Sequence, residues 1–337
     1  MALPPGAAGS YTRRVPLQFR QVDVFTDTPY FGNPVAVVLG ADGLSGEQMQ
    51  LFARWTNHSE TTFVLAPRGS GADYLVRIFT PTSELPFAGH PTLGTCHAWL
   101  EADGRPADPD AIVQECGAGL ITVRRSDAGL AFAAPPLVRS GPVEEPVAER
   151  VTRSLNIVRS EVVDIAWADN GPGWVAVLLA SAEAVLAVRP GAVDMDIGVA
   201  GPYPDGSPEA IEVRAFSPQI SSVEDPVTGS LNASLGQWLL AAGRVTAPYV
   251  ASQGTAMGRR GRVHVSRDAE GQVWVGGGTV TCVSGAVALL RRGPLAFRDH
   301  AQREPAVAAV LLDQREPQWQ QGVDGPGRAG VADEGRL

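Results

Sequence analysis

The 337-residue chain contains no lysine; all 27 of its lysine-plus-arginine total are arginine. Without a lysine amine there is no internal Schiff base to hold pyridoxal phosphate and no P-loop lysine to reach a nucleotide's phosphates. Cysteine is scarce as well. Cys96, Cys116 and Cys282 cannot all pair, and none sits in a CxxC or metal-ligand spacing, so reduced thiols are expected. There is no HExxH or paired Cys/His set, and no GxGxxG follows a strand pattern. Neither metal nor cofactor is therefore expected. No apolar run reaches the roughly 18 residues of a membrane-spanning helix, so no membrane partner is expected. Residues 1–10 lack the regions of a signal peptide, and the expected location is cytoplasmic. A basic surface for nucleic acid is also missing. The net charge is −9, and arginine pairs such as Arg13-Arg14, Arg124-Arg125 and Arg259-Arg260 stand isolated.

What the chain does contain is a repeat. Val76-Arg77-Ile78-Phe79-Thr80-Pro81 returns as Val213-Arg214-Ala215-Phe216-Ser217-Pro218, and Trp99-Leu100 through Gly104-Arg105 returns as Trp238-Leu239 through Gly243-Arg244. Pro34 to Leu39 similarly faces Trp174 to Leu179, and Cys116-Gly117 faces Gln253-Gly254. Four matches in one order at a nearly constant offset argue for duplication. Each copy reads as the same unit: a valine-rich strand (32–39 in the first), an alternating strand (74–79), a helix closed by a C′ glycine (Gly104, Gly243), then strands (120–125, 262–266) with Asp-Ala-Gly turns. The first copy adds a helix over 46–55, with Ser45 and Gln48 spaced as a capping box. The expected architecture is α+β. Two lobes, 16–138 and 139–296, are related by a pseudo-twofold, each wrapping strands around a central helix (93–102, 231–242), with a cleft between them. The tail, 297–337, has no counterpart; a short helix over 305–313 and otherwise disorder are expected.

Function is sought where the copies differ. Phe87-Ala88-Gly89-His90-Pro91-Thr92 precedes the first central helix, and Glu224-Asp225-Pro226-Val227-Thr228-Gly229-Ser230 the second. Glycine-rich entries to helices expose N–H groups at the positive end of the helix dipole, a site for carboxylate or enolate oxygens, where His90 and Asp225 could move protons. Asp225 also reads as a dipole-complementing residue, His90 as a structural histidine and Ser230 as an ordinary cap; no GxSxG surrounds Ser230. Asn57-His58-Ser59-Glu60 has no evident counterpart and runs into the apolar Phe63-Val64-Leu65. A carboxylate at the rim of a core can have a raised pKa, although Glu60 also reads as a surface residue.

Gly32-Asn33-Pro34-Val35-Ala36-Val37, Ser59-Glu60-Thr61-Thr62-Phe63, Ala88-Gly89-His90-Pro91-Thr92 and Asp225-Pro226-Val227-Thr228-Gly229-Ser230 together resemble the PhzF-like family of phenazine biosynthesis, across residues 22–290. That resemblance implies the two-lobed diaminopimelate epimerase fold. It makes Glu60 a proton shuttle with His90 and Asp225 as catalytic partners, and places Ser59, Gly89, Gly229, Ser230 and Asn33 around a small-molecule substrate. Epimerases of that fold face the substrate with two cysteines. Here the matching loops carry no thiol, which argues for carboxylate chemistry. The expected activity is cofactor-independent isomerisation by acid–base proton transfer on a small carboxylate-bearing substrate, of the trans-2,3-dihydro-3-hydroxyanthranilate or amino-acid-derived kind. The alternatives are an epimerase using Glu60 and Asp225 on opposite faces, and a non-catalytic anion-binding protein. The resemblance also implies a homodimer.

Overall fold

Ser45 caps a helix, valine-rich runs form strands, and two glycine-led segments form the central helices, in an order that occurs twice. The structure, a computed structural model, describes residues 16–218 and 224–289. In the first half run β1 (Pro16–Val24), β2 (Asn33–Leu39), α1 (Gly46–Thr56), β3 (Thr61–Leu65), β4 (Tyr74–Phe79), β5 (Glu84–Leu85), α2 (Gly89–Glu101), β6 (Ala111–Cys116), β7 (Gly119–Ser126), β8 (Gly129–Ala133) and β9 (Arg139–Pro142). After α3 (Glu145–Leu155) come β10 (Val162–Asp169), β11 (Val175–Leu179), α4 (Ala182–Ala187), β12 (Ile197–Pro202), β13 (Ile211–Phe216), β14 (Glu224–Asp225), α5 (Gly229–Ala241), β15 (Tyr249–Gln253), β16 (Gly261–Arg267), β17 (Val273–Gly277) and β18 (Thr279–Ala288). The tail expected over 297–337, with its short helix, lies outside the described residues.

Strand pairing repeats residue by residue. β2 pairs in parallel with β3 through Ala36 and Thr61, as β11 does with β12 through Val175 and Ile197. Phe79 of β4 lies opposite Thr61 and Glu84, and Phe216 of β13 opposite Ile197 and Glu224. The matched arginines keep matched partners. Arg77 holds Glu84 and Arg214 holds Glu224, each through two hydrogen bonds. Three further pairings join the halves: β8 to β17, with Phe132 opposite Val275, β1 to β18, and β9 to β10. β18, inside the expected 139–296 segment, thus hydrogen-bonds to a strand of the first half, while β9 pairs with β10.

Both central helices are buried almost all round, which selects small residues where strands press closest. A Cβ on Gly94 would come within 2.3 Å of the Val35 side chain. Outer faces carry separate cores: Phe52 and Met49 of α1 pack near Phe63 and Phe79, and Val151 and Leu155 of α3 near Val177 and Phe216. The Ser45–Gln48 capping box forms at α1. α2 and α5 begin at Gly89 and Gly229, earlier than the expected 93 and 231, so the glycines are first-turn residues rather than loop. One cap differs from expectation. Gly243 has the left-handed φ of a C′ glycine (+63°), but in the first half that conformation falls on Asp103 (φ 64°). Gly104, one residue later, lies against the Trp99 ring, which a Cβ would approach to 2.3 Å.

Candidate functional site

Four elements deliver the site. α1 ends at Asn57 in the left-handed conformation (φ 55°), turning the chain so that Glu60 stands just before β3. His90 is the second residue of α2, Asn33 opens β2 and Asp225 ends β14. Glu60 Oε2 lies 3.3 Å from His90 Nε2, with 14% and 7% of the two side chains exposed. The approach lacks hydrogen-bond alignment, so these two buried atoms have no hydrogen-bond partner among the described residues. Asn33 joins the halves of the chain: its amide nitrogen reaches Asp225 Oδ1 at 3.0 Å and the Val227 carbonyl at 2.8 Å. The other oxygen of Asp225 accepts from the Thr228 hydroxyl.

Burial dominates the electrostatics. It pushes Glu60 up to about 7, opposed by a hydrogen bond from Ser59. It pushes Asp225 up to about 6, while the fields of His90 and the Thr228 hydroxyl pull the other way. It holds His90 down at about 4, against the attraction of Asp225 and Asp23. At neutral pH the imidazole is therefore uncharged, and Glu60 sits near its midpoint, where one carboxyl can both take and give a proton.

Gly89 and Gly229 bring the two helix N-termini together; a Cβ on Gly229 would lie 3.1 Å from the His90 backbone nitrogen. First-turn N–H groups lack intrahelical acceptors, so this junction is suited to an anionic oxygen. Ser230 neighbours it, its hydroxyl accepting from Trp174 Nε1 at 3.2 Å and its carbonyl from Asn170 at 2.9 Å. No hydrogen bond among the described residues links that hydroxyl to Glu60, His90 or Asp225. Ser59 touches the site through Glu60. Asn33, 1% exposed and with both amide hydrogens engaged within the protein, has none to offer a ligand. Among the described residues no cluster of three or more His, Cys, Asp or Glu could hold a metal ion. No helix there is long and apolar enough to cross a membrane.

The sequence reading missed the scaffold under Asp225. The Gln253 amide accepts from Thr228 N and Asn232 and donates to the Thr228 hydroxyl and the Asp225 carbonyl. A signal existed: Gln253 stands where the other copy has Cys116. Glu60 also has a positional counterpart, which the sequence concealed. Its carbonyl accepts from Ala36 N, as that of Asp196 does from Val175 N at the matching rung. A hollow of about 460 Å³ lies elsewhere, between Leu120, Arg124, Asp268 and Trp274. Its Arg124 and Asp268 are paired with each other.

The family model described as phenazine biosynthesis-like protein (PhzC-PhzF) matches residues 22–285. Over 289 residues the chain is 36% identical to antisense-enhancing sequence 1 of Schizosaccharomyces pombe, covering 79% of this chain and 97% of that protein. Over 271 residues it is 34% identical to the trans-2,3-dihydro-3-hydroxyanthranilate isomerase of Pseudomonas aeruginosa, covering 74% and 90%. A Bacillus anthracis phenazine biosynthesis protein of the PhzF family has a similar fold, with TM-score 0.69 at 23% identity, covering 81% of this chain and 99% of that one. The fold is α+β of the PhzF and diaminopimelate epimerase-like type.

Proposed function

The chain belongs to the phenazine biosynthesis-like PhzC-PhzF family, and on that premise we propose that it is an isomerase that moves a proton between carbons of a small carboxylate-bearing substrate, without a cofactor. The observation that carries this is the Glu60–His90 pair, whose facing atoms Oε2 and Nε2 lie 3.3 Å apart, enclosed and without a hydrogen-bond partner among the described residues. The Glu60 carboxylate takes a proton from one carbon, the double bond shifts, and the resulting acid returns that proton to another carbon, so the balance of protons is zero. The substrate carboxylate lies at the Gly89–Gly229 junction, where helix N–H groups and Ser230 meet an anion. Asp225, tied through both oxygens, acts as a fixed negative charge beside His90.

An epimerase needs an acid–base group on each face of one carbon. The engagement of both Asp225 oxygens leaves Glu60 as the unhindered carboxyl and favours isomerisation. The proposed substrate is of the trans-2,3-dihydro-3-hydroxyanthranilate class, and the proposed setting is a cytoplasmic homodimer acting on a free metabolite. The test is turnover of that compound in D2O by wild type and Glu60→Gln. Product labelled at a new carbon, and a loss of about 100-fold or more in the variant, support the reading. Deuterium at an inverted carbon with no bond moved replaces it with epimerisation, and a fully active Glu60→Gln overturns it.

A further inference from the structure

The amide nitrogen of Asn33 lies within reach of three groups, the Val227 carbonyl at 2.8 Å, Asp225 Oδ1 at 3.0 Å and His90 Nδ1 at 3.4 Å. It carries only two hydrogens. Reversing the amide would set its oxygen against a carboxylate and a carbonyl, so the nitrogen must face them. The two shorter contacts, one to a carboxylate and one to a carbonyl, take both hydrogens and leave none for His90.

From this count we infer that Asn33 is a positioning residue that fixes the tautomer of His90, with the proton on Nδ1 and a lone pair on Nε2 facing Glu60. The ring makes a hydrogen bond to the Pro34 backbone. Proline has no N–H, so Pro34 can only accept. Nε2 has no hydrogen-bond partner among the described residues, so the donor is Nδ1. A proton on Nε2 would instead create a buried donor without an aligned acceptor, and would leave Nδ1 a lone pair with no donor. The charged groups acting on the ring are Asp225 from β14 and Asp23 from β1, with Glu60 before β3 in contact at Nε2. Burial outweighs the pull of the aspartates and keeps the ring neutral.

The tautomer sets the strength of the base. An Nε2–H would stabilise the Glu60 carboxylate and weaken it as a proton acceptor. A lone pair opposes the carboxylate and accepts a hydrogen bond from the acid, so it favours proton capture. This refines the acid–base reading of the site but depends on no substrate.

The test uses the full chain without ligand, labelled with 15N-histidine, at neutral pH, with His90 assigned from its absence in His90→Gln. Two-bond proton–nitrogen correlations distinguish Nδ1–H from Nε2–H. Wild type is expected to show Nδ1–H alone. Asp225→Ala frees one Asn33 hydrogen to donate to Nδ1 and should raise the Nε2–H population several-fold, whereas Asp225→Asn, which can keep an acceptor there, should leave Nδ1–H dominant. An Nε2–H signal in wild type, or an unchanged tautomer in folded Asp225→Ala, overturns the inference. An Nε2–H signal in the wild-type spectrum overturns the inference even if a variant fails to fold. It also stands apart from turnover, so failure of the proposed reaction is read separately.

Discussion

Gly89 and Gly229 stand so close that a Cβ on the first would lie 3.2 Å from the Cα of the second and 2.6 Å from the Phe132 ring. Backbone at one side and a buried aromatic ring at the other leave nothing flexible to yield. Gly89→Ala should therefore destabilise the protein by about 1–3 kcal/mol and also lower turnover, since it parts the two helix N-termini. Gly285→Ala, with nothing within 4 Å, is the control and should be silent in both. Urea unfolding of the two variants checks this; equal midpoints would contradict the close approach.

Acid–base groups in the site make stability depend on pH in opposite senses. Burial raises Glu60 from 4.5 to about 7 and Asp225 from 3.8 to about 6. The folded state therefore prefers their protonated forms, and the stability they contribute at low pH is lost as pH rises towards those folded values. His90, lowered from 6.5 to about 4, instead costs stability as pH falls through that interval. Glu60→Gln removes the first dependence. Its stability relative to wild type should rise by on the order of 2 kcal/mol between about pH 5 and about pH 8. A constant difference in urea midpoint would refute the raised carboxyl. For a Glu60 base, kcat/KM of the wild type should climb through about pH 7.

The duplicated arginine–glutamate pair offers an internal comparison. Arg214 is 5% exposed and also donates to the carbonyls of Val185 and Val188, whereas Arg77 is 24% exposed. Removing the buried arginine takes its hydrogen bonds to Glu224, Val185 and Val188 out of the core, so Arg214→Ala should cost about 3–5 kcal/mol and Arg77→Ala about 1 kcal/mol or less. Similar losses in denaturant melts would show that burial does not govern the pair.

Thiols should be dispensable. Burial pushes the Cys96 thiol up to about 12 and raises Cys116 and Cys282, the reverse of what a reactive thiolate needs. Cys116→Ala and Cys282→Ser should keep turnover within about twofold of wild type. A loss like that of Glu60→Gln in either one would reopen thiol chemistry.

Much of this was legible in local sequence, because local chemistry specifies it. The Ser45–Gln48 box and the Arg77 and Arg214 strands announce themselves by spacing; the glycine-rich entries to α2 and α5 were visible too, but not that Gly89 and Gly229 form the first turns. Hidden features depend on partners far along the chain. Asp196 matches Glu60 only on the hydrogen-bond ladder, because α1 is replaced in the second half by the much shorter α4 and the surrounding residues have diverged. Gln253 becomes significant only once β15 is laid beside β13; Asn33 was already placed at the site by the family resemblance, but its bond to Asp225 shows only once β2 meets the Asp225 loop. The left-handed turn at Asp103 was missed because a neighbouring glycine looked the better candidate.

The pairing of β18 with β1 and of β9 with β10 bears on where such an architecture can be divided. A chain of half the length would present β1 as an open edge and end in a strand with nothing of its own to join. Two such chains would satisfy one another by trading those terminal strands, as the two halves of this chain do, which makes an intertwined pair. Fused end to end, that pair becomes a single polypeptide whose halves must melt together.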